Sequence, residues 1–387
     1  MKEKLKDILI ESIKEISNTS LDLEEIEIQI PKKKEYGNFS SNIAMKLAGR
    51  VKMSPEKLAN KIKDRIINKY DFIKDINVMG AGFINFYLKE EAFIKEHLKS
   101  IENGDFKKLK PKNKNVKVAI VLNKLRDILN LQSFRGFINM YYLAKIYDFA
   151  GYKTRKLVLV KDNDINLNIK YFLSNFKNIE IILDKEELRD SIIFCSTLDQ
   201  GKLKGLDNKR FTIEEVNILK NGHKINKTTF SELLDIIGID RIKYTLSSKA
   251  INKKITIELT NDDLRYIQYP YSRITSVINI FKDEGIDIDS IEDFNEKLLT
   301  DVLEKEMINK IMEFKDIITE TIDKDQPYRF IKYSKELCDI FYKINASTLF
   351  RQLSNEKLIA LLKLLNSVKI VLEEILNTLE LPVYEKM

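Results

Sequence analysis

Four short runs of β-branched and other apolar residues occur between residues 116 and 195, and they constrain the fold more than any other feature of the sequence. The runs cover residues 116–122, 156–160, 179–183 and 192–195, and a stretch with helical period, residues 134–150, follows the first run. Strand, helix and strand in this order are typical of a parallel sheet with its crossover helix. The middle of the chain is therefore predicted to be an α/β domain.

The segments on either side of the predicted sheet have a different character. Residues 1–105 alternate helical and short strand-like patterns, whereas from about residue 256 nearly every segment has helical period, including 304–318, 329–344 and 356–379. The lysine-rich run at 107–114, broken by one proline, is more typical of a solvated hinge than of an RNA contact. These patterns predict domains at residues 1–106, 116–255 and 256–387, with a linker at 107–115.

Composition argues against several classes of protein. The 387 residues contain no run of eighteen apolar residues, so we expect no membrane span. Cys195 and Cys338 lie far apart and have no CxxC or Cys/His spacing, which indicates neither a zinc site nor a disulfide framework and favours a cytoplasmic location. The net charge of +7 is compatible with a polyanionic partner, although an AT-rich genome would also enrich lysine and asparagine.

Common catalytic motifs are missing from the sequence. It has no GxxxxGK[ST], no complete GxGxxG and no HExxH. The two histidines, His97 and His223, lie among polar residues, and no Ser/His/Asp or Cys/His arrangement can be assigned to them. The residues alone therefore predict no self-contained active site.

Several segments nevertheless resemble arginyl-tRNA synthetases, and the resemblance runs nearly end to end. Residues 36–45, YGNFSSNIAM, resemble the family pattern GDFS[ST]N[IV]AM, and residues 80–88, GAGFINFYL, resemble GxGF[IL]NFxL. Residues 266–274, YIQYPYSRI, resemble Y[VL]QYA[HY]ARI, and the chain ends in LPVYEKM where the family ends in PERM. A further pattern of the family's helical domain, PxRxxxYxxxLxxxF[NY], matches the spacing of Pro327, Arg329, Tyr333, Leu337, Phe341 and Tyr342.

The resemblance implies a class I synthetase architecture. It comprises an α+β N-terminal domain, a reduced α/β Rossmann-like middle domain and an all-α C-terminal helical bundle of the anticodon-binding type. It also implies tRNA as the partner, above all arginine tRNA, with a full-length synthetase or another protein as a further candidate. Neither a membrane nor DNA is expected as a partner.

Both ATP signatures of the family are replaced in this sequence. Aligned without a gap from residue 116 to residue 136, the family's HxGH falls on Asn130, Leu131, Gln132 and Ser133. In the family these histidines donate to the ATP phosphates, and the glycine lets adenine approach the backbone, which a glutamine side chain obstructs. The KMSK signature is replaced by HKINK at 223–227, where Lys224 and Lys227 remain candidate phosphate contacts.

The family's arginine-binding residues are replaced as well. Its acidic residue aligns with Ala119 and its asparagine with Lys124, and a lysine repels a cationic substrate. The stretch after Asp162 is also shorter than in a full synthetase. We therefore predict no catalytic residue, no metal and no ATP-shaped pocket at the strand ends; ATP would be used only if an altered ligase activity survives.

Contacts with tRNA are predicted in the two flanking domains. The resemblance places Asn85, Phe86 and Tyr87 at the tRNA elbow, where an amide and a ring pair with and stack on a base. At the anticodon it implies Gln268, Tyr269, Arg273, Tyr333, Tyr342 and Met387. The structural alternatives are that Phe86 and the other aromatics are core and that Asn85 caps a turn.

Three functions remain open at this point. The leading interpretation is a non-catalytic paralogue that binds tRNA. The second is an arginine-tRNA ligase with an altered site or with a partner subunit that supplies the ATP chemistry. The third is a protein-interaction module that has lost its affinity for RNA.

Overall fold

The computed structural model describes residues 2–17, 25–29, 31, 34–107, 115–162, 172–196, 203, 205–206, 208–225 and 228–387. These residues belong to two compact units, residues 1–100 and 101–387. Most of the predicted linker, residues 108–114, and the stretch at 163–171 lie outside the described residues.

The first unit is an α+β domain, as predicted. Its elements are α1 (Lys2–Ser17), β1 (Ile28–Gln29), β2 (Phe39–Ser41), α2 (Ile43–Val51), α3 (Pro55–Ile66), β3 (Ile73–Met79), β4 (Phe83–Leu88) and α4, which spans Glu90–Glu102 and so ends beyond residue 100. The four strands form an antiparallel sheet in the order β1-β2-β4-β3. Helices α2 and α3 contact the sheet and α1 packs on α3. Leu5, Leu9 and Ile13, spaced by one helical turn, are fully buried on the inner side of α1.

Two glycines hold β4 in place. Gly37 has φ +88°, and a Cβ on it would lie 2.6 Å from the carbonyl oxygen of Phe86. Gly82 has φ +113°, and a Cβ on it would lie 2.9 Å from the backbone of Pro55 at the start of α3. Because only glycine combines these φ values with such close approach, both family-like segments of this unit depend on their glycines.

The second unit begins with a fully parallel five-stranded sheet. Its strands are β5 (Asn115–Lys124), β6 (Lys153–Asp162), β7 (Ile179–Ile182), β8 (Ser191–Cys195) and β9 (Arg210–Thr212). They lie in the order β7-β6-β5-β8-β9, with every neighbouring pair parallel. This is the strand order of a Rossmann-type sheet, whose connections reverse direction between β5 and β8. The predicted parallel sheet is confirmed.

Helix α5 (Leu131–Phe149) covers one face of this sheet and contacts β5, β6 and β8. Its close approach is possible because Gly136 faces the sheet, where a Cβ would lie 2.9 Å from Ile120 Cδ1 and 2.2 Å from Ile213 Cδ1. The helix begins three residues earlier than its apolar period predicts, since the Asn130 side chain caps it.

A smaller sheet that the sequence analysis did not predict follows. Strands β10 (Val216–Lys220), β11 (His223–Lys224) and β12 (Ile255–Glu258) lie in the order β11-β10-β12, and helices α6 (Phe230–Ile237) and α7 (Ile239–Ser247) come between β11 and β12. Strands β10 and β12 are parallel although more than thirty residues separate them in the sequence. The domain boundary predicted at residue 255 therefore falls inside β12.

The remainder of the second unit is a helical bundle, as predicted. It contains α8 (Asp263–Asp283), α9 (Val302–Met312), α10 (Phe314–Lys324), α11 (Tyr328–Ser347) and α12 (Asn355–Thr378). Helix α8 packs on α11 and α12, and α11 also packs on α9 and α10. The single helix predicted at 304–318 is divided between α9 and α10.

Polar contacts join α5 to the end of the bundle. The carboxylate of Glu380 accepts hydrogen bonds from the Tyr141 hydroxyl and the Lys145 ammonium, both at 2.8 Å. Two turns along α5, the Tyr147 hydroxyl donates to Asp325 at 2.6 Å. The sheet and the bundle are therefore held together as one compact unit.

Candidate functional sites

A cleft of about 890 Å³ opens beyond the carboxyl end of β5. Its walls come from the turn between β5 and α5, from β10 and β11, and from the start of α6. Open parallel sheets bind ligands at this edge. We predicted no ATP-shaped pocket here, yet a cavity of ligand size is present. The volume of the cleft alone therefore does not exclude a nucleotide.

At the start of α5, two side chains that line the cleft bond to the chain's own backbone. Asn130 Oδ1 accepts a hydrogen bond from the backbone N–H of Gln132 at 2.9 Å, and so caps the N-terminus of α5. The Gln132 amide donates to the carbonyl oxygen of Ile213 at 2.8 Å and bridges α5 to the segment after β9. Phosphates bind to free N–H groups at helix N-termini. Here the Asn130 cap satisfies one of these N–H groups, that of Gln132.

Two cationic side chains line the rest of the cleft. Arg126 follows β5, and Lys224 lies on β11. Among the described residues neither has an ion-pair partner. Lys224 is thus a predicted phosphate contact that does reach the cleft, whereas Lys227 lies outside the described residues.

The positions aligned with the family's arginine-binding residues offer no acid. Ala119 is fully buried in an apolar cluster with Val121, Leu157 and Ile193. Lys124, at the end of β5, donates its backbone N–H to Asp127 at 3.0 Å. An ammonium or guanidinium therefore gains no carboxylate partner at residue 119.

A buried arginine holds the frame of the cleft. Arg135 of α5 is fully buried and donates to the carbonyl oxygens of Leu246 at 3.3 Å, Glu214 at 3.1 Å and Ala250 at 2.9 Å. Burial lowers the pKa of Arg135 to about 10, so the guanidinium remains charged at neutral pH. It ties α5 to the segment before β10 and to the turn after α7. The architecture around the cleft is therefore kept although its signature residues are replaced.

Three half-buried tyrosines form a second candidate site on α8 and α11, which we call the tyrosine face: Tyr266, Tyr269 and Tyr342. The rings of Tyr269 and Tyr342 are parallel within 1°, with centroids 6.0 Å apart, and the Tyr266 ring lies 4.6 Å from that of Tyr342. The Tyr342 hydroxyl donates to the Tyr266 carbonyl oxygen at 3.0 Å, and the Tyr266 hydroxyl donates to Asp339 at 2.5 Å. Rings fixed in this way offer surfaces on which a base can stack.

Cations flank the tyrosine face. Arg273 lies one turn after Tyr269 on α8, and its Nε donates to Asn345 Oδ1 at 3.2 Å. The Lys335 ammonium lies 5.8 Å from the centroid of the Tyr266 ring. Burial raises the pKa of Tyr342 to about 12, so its ring carries no competing negative charge at physiological pH. Aromatic surface beside cations is typical of a site for unpaired nucleic-acid bases.

Two known domain families match the N-terminal and C-terminal parts of the chain. The family model of the arginyl tRNA synthetase N terminal domain matches residues 3–88, and that of the DALR anticodon binding domain matches residues 267–387. An arginine–tRNA ligase of Staphylococcus epidermidis is 21% identical over 557 aligned positions, which cover 100% of this chain and 99% of that enzyme. The chain belongs to the arginyl-tRNA synthetase family.

Comparison with individual arginyl-tRNA synthetases shows that this chain is similar to them but shorter. An arginine–tRNA ligase of Caldanaerobacter subterraneus is 31% identical over 168 residues, which cover 42% of this chain and 30% of that enzyme. Synthetase structures from Thermus thermophilus and Plasmodium falciparum share the fold, with TM-scores of 0.55 and 0.56 at 12% and 13% identity; both matches cover this chain fully and 100% and 99% of those structures. Because 557 aligned positions contain only 387 residues of this chain, about 170 positions of the Staphylococcus enzyme have no counterpart here.

The bundle residues expected from arginyl-tRNA synthetases divide into two groups. Tyr269, Arg273 and Tyr342 lie together on the tyrosine face, as described above. Gln268 is buried and donates to the Pro382 carbonyl oxygen at 2.7 Å, which holds the C-terminal segment on α8. Tyr333 is 1% exposed and donates to the Lys310 carbonyl oxygen at 2.9 Å, so it has no free face for a base. Met387, the last residue, is exposed.

The predicted elbow residues lie on opposite sides of the first unit's sheet. Phe86 is fully buried in the core of that unit. Asn85 and Tyr87, one residue away on either side, face the other way, as does the exposed Phe83. Asn85 is nevertheless buried, with 4% of its surface exposed, and Tyr87 is half-buried. Asn85 lies in mid-strand and does not cap a turn, and Tyr87 donates to the Glu35 carbonyl oxygen at 2.7 Å. Phe86 therefore has a structural role, and of the two residues on the opposite side of the sheet only Tyr87 has substantial exposed surface.

Sequence reasoning missed three members of the bundle site: Tyr266, Asp339 and Asn345. The signal was present, because 266, 269 and 273 on α8 and 339, 342 and 345 on α11 recur at helical intervals of three or four residues. The sequence alone does not show that α8 and α11 pack side by side with these residues facing each other.

One further observation concerns the lipid bilayer. Of the helices that the structure describes, none combines the length and the apolar character needed to cross a membrane.

Proposed function

We propose that this member of the arginyl-tRNA synthetase family binds tRNA, above all arginine tRNA, and does not activate arginine with ATP. The observation that carries the proposal is the contrast between the two sites. At the cleft the chain's own groups take the place of nucleotide contacts, whereas at the bundle a fixed aromatic surface remains partly exposed beside cations.

The argument against ATP chemistry starts from the α5 N-terminus. The Asn130 cap and the Gln132 bridge compete with a phosphate, and neither histidine of the HxGH signature is present. Removal of one preorganised donor typically slows a reaction by about 10²–10³-fold. Replacement of both histidines, the glycine and the acidic residue that binds arginine should slow the reaction more than the removal of one donor, although such effects do not simply multiply. The protein accordingly requires no cofactor.

The argument for tRNA rests on the two flanking regions. The bundle matches an anticodon-binding domain and carries the tyrosine face, which suits unpaired anticodon bases. In the first unit, the Asn85 amide and the half-buried Tyr87 ring lie on the same side of β4, where 4% of the Asn85 surface is exposed. A cytoplasmic protein that stores, presents or regulates tRNA fits these features.

A second candidate function is a ligase with an altered ATP site. The observation in its favour is the cleft itself, which has ligand size and in which Lys224 and Arg126 lack ion-pair partners among the described residues. It predicts ATP–pyrophosphate exchange that depends on Lys224. A partner subunit that supplies the ATP chemistry belongs to the same alternative.

The test combines exchange and binding measurements on the full chain. Arginine-dependent ATP–pyrophosphate exchange is measured with arginine tRNA present, because enzymes of this family generally need tRNA for that step, and a full-length synthetase serves as the positive control. We expect no exchange above background. Exchange that disappears in Lys224→Ala would establish the altered ligase instead.

Filter binding then compares arginine tRNA with other tRNAs over a series of salt concentrations. We expect log K to fall linearly with log salt and arginine tRNA to bind most tightly. Asn85→Ala should weaken arginine tRNA by about 1–3 kcal/mol and reduce discrimination, whereas Asn60→Ala, an exposed amide on α3, should change neither. Equal and weak affinity for all tRNAs would leave the protein-interaction module as the function.

A further inference from the structure

The cleft beyond the carboxyl end of β5 carries two cationic side chains whose charge the proposed function does not use. Arg126 lines it from the turn after β5, and Lys224 lines it from β11. Among the described residues, neither side chain has a hydrogen bond or an ion pair. Because both cations line one cavity of about 890 Å³, they favour a ligand of opposite charge between them.

The carboxylates in the wall of the cleft already have partners in the chain. Asp127 Oδ2 accepts the backbone N–H of Lys124 at 3.0 Å and so closes the turn after β5. Glu215 forms an ion pair with Lys254 at 3.1 Å. Of the charged groups that the structure describes along the cleft, the two cations are therefore the ones that remain available to a ligand.

Uncharged donors add to the cations. The Asn217 amide and the Thr228 hydroxyl are half-buried in the wall of the cleft and have no hydrogen-bond partner among the described residues. Asn130 uses its side-chain oxygen to cap α5, which leaves its amide nitrogen as a donor. A ligand in the cleft therefore meets mainly hydrogen-bond donors, and acceptor groups such as carboxylates match them.

Apolar side chains form a further part of the lining: Leu129, Leu131, Val216, Ile218, Ile225 and Phe230. They favour a ligand with a hydrocarbon body over a wholly polar one. A planar guanidinium can bind both oxygens of a carboxylate at once. At the start of α5, where a phosphate would use backbone N–H groups, that of Gln132 is already taken by Asn130. The cleft therefore suits carboxylates on a hydrocarbon chain better than a row of phosphates.

We propose that the cleft binds a small organic acid in which a short hydrocarbon chain joins two carboxylate groups. Arg126 binds one carboxylate, Lys224 binds the other, and the apolar side chains contact the hydrocarbon between them. The charge of this ligand is opposite to that of an arginine side chain. The site is separate from the surfaces proposed for tRNA, so it does not depend on that function.

The experiment measures binding of the dicarboxylates from malonate to adipate to the full chain, freed of RNA, by calorimetry at constant ionic strength. At neutral pH both carboxylates of each probe are ionised. Each probe is compared with the monocarboxylate of the same length, such as butyrate for succinate. We expect at least one dicarboxylate to bind about 10- to 100-fold more tightly than its monocarboxylate, the value of one charged hydrogen-bonding contact. It should also bind more tightly than L-arginine or pyrophosphate.

Variants of the two cations test where that dicarboxylate binds. Arg126→Met and Lys224→Met should each weaken it about 10- to 100-fold, and Arg126→Lys, which keeps the charge without the planar fork, should weaken it less than Arg126→Met. Lys220→Met is the matched control. Lys220 pairs with His223, one position along from the pair of Leu219 and Lys224, so its exposed side chain lies on the opposite face of the same sheet. This variant should leave the affinity unchanged.

The possible results decide the matter without reference to tRNA. Equal affinity of every dicarboxylate and its monocarboxylate, or unchanged affinity in both methionine variants, overturns the proposal, because the two cations would then not hold the ligand. Tighter binding of pyrophosphate than of every dicarboxylate, weakened by Lys224→Met, also overturns it and favours the altered ligase instead. Since no RNA is present, these results leave the proposed tRNA binding to its own filter-binding test.

Discussion

The cleft and the tyrosine face lie in the same compact unit, and they differ in what their polar groups bind. In the cleft, the Asn130 oxygen and the Gln132 amide bind the chain's own backbone. On the tyrosine face, the rings are held by hydrogen bonds at their hydroxyl groups, and the terminal nitrogens of Arg273 have no acceptor among the described residues. A group that is already satisfied has little free energy left for a ligand, whereas Arg126 and Lys224 on the cleft wall have no ion-pair partner among the described residues.

The two regions also differ in how they keep their shape. Around the cleft, Arg135 and Gly136 maintain the packing of α5 on the sheet, although the residues of the ATP signature are gone. The tyrosine face keeps both its frame and its exposed surface. A fold can therefore persist while the signature residues of its cleft change, since buried contacts stabilise the chain whether or not a ligand binds.

The largest expected effect tests the frame of the cleft. Arg135→Met removes three charge-assisted hydrogen bonds and leaves the Glu214 carbonyl without another donor among the described residues, so we expect the free energy of unfolding to fall by about 3–5 kcal/mol. Urea unfolding followed by circular dichroism measures it. Arg126→Met, at an exposed position on the cleft wall, is the control and should change stability by less than about 0.5 kcal/mol. Equal stabilities of the two variants would contradict a structural role for Arg135.

The next effect tests the tyrosine face. Tyr342→Ala removes the ring that lies against both Tyr266 and Tyr269, and should lower tRNA affinity by about 1–3 kcal/mol, the value of one stacked base. Tyr342→Phe keeps the ring and loses one hydrogen bond, so its tRNA affinity should remain close to that of the wild type. Filter binding measures both. A loss as large in Tyr342→Phe as in Tyr342→Ala would show that stacking is not the source of affinity.

A smaller effect concerns the junction between the sheet and the bundle. Burial acts to raise the pKa of Glu380, but the bonds from Lys145 and Tyr141 outweigh it and lower that pKa below its usual value. The carboxylate therefore contributes stability above about pH 4.3, the unperturbed pKa, and this contribution disappears as pH falls through the lowered pKa.

Glu380→Gln provides the measurement. At pH 7 it should lower the free energy of unfolding by about 1–2 kcal/mol, the lower part of the range for hydrogen bonds to a charged group, and the difference from wild type should shrink as the pH falls below about 4.3. Thermal unfolding at several pH values tests this. A difference that stays constant down to pH 3 would mean that the charge of Glu380 makes no contribution.

The smallest expected effect tests whether the two regions are independent. Gln132→Gly removes the bridge to Ile213, and we expect tRNA affinity to change by less than about 0.5 kcal/mol, because the two sites share no residue. ATP binding, measured by calorimetry, should stay undetectable since the Asn130 cap remains. A tenfold change in tRNA affinity would show that the cleft and the tyrosine face are coupled.

The sequence by itself determined the parallel sheet, the crossover helix, the helical bundle, the family resemblance and the replacement of the ATP signatures. Each of these depends on periodicity or on motifs within a short stretch of chain, where neighbouring residues define the pattern. The same local signals placed Tyr269, Arg273 and Tyr342 among the candidates.

Only the tertiary structure decided which candidates have an exposed surface. It buried Asn85, Phe86, Gln268 and Tyr333, paired Arg273 with Asn345, and joined β10 to β12 across two helices. It also showed that Gln132 bridges to a distant backbone carbonyl and leaves an open cleft beside it. The physical reason is that burial and hydrogen bonding depend on which faces of distant elements meet, and the period within one element does not define that meeting.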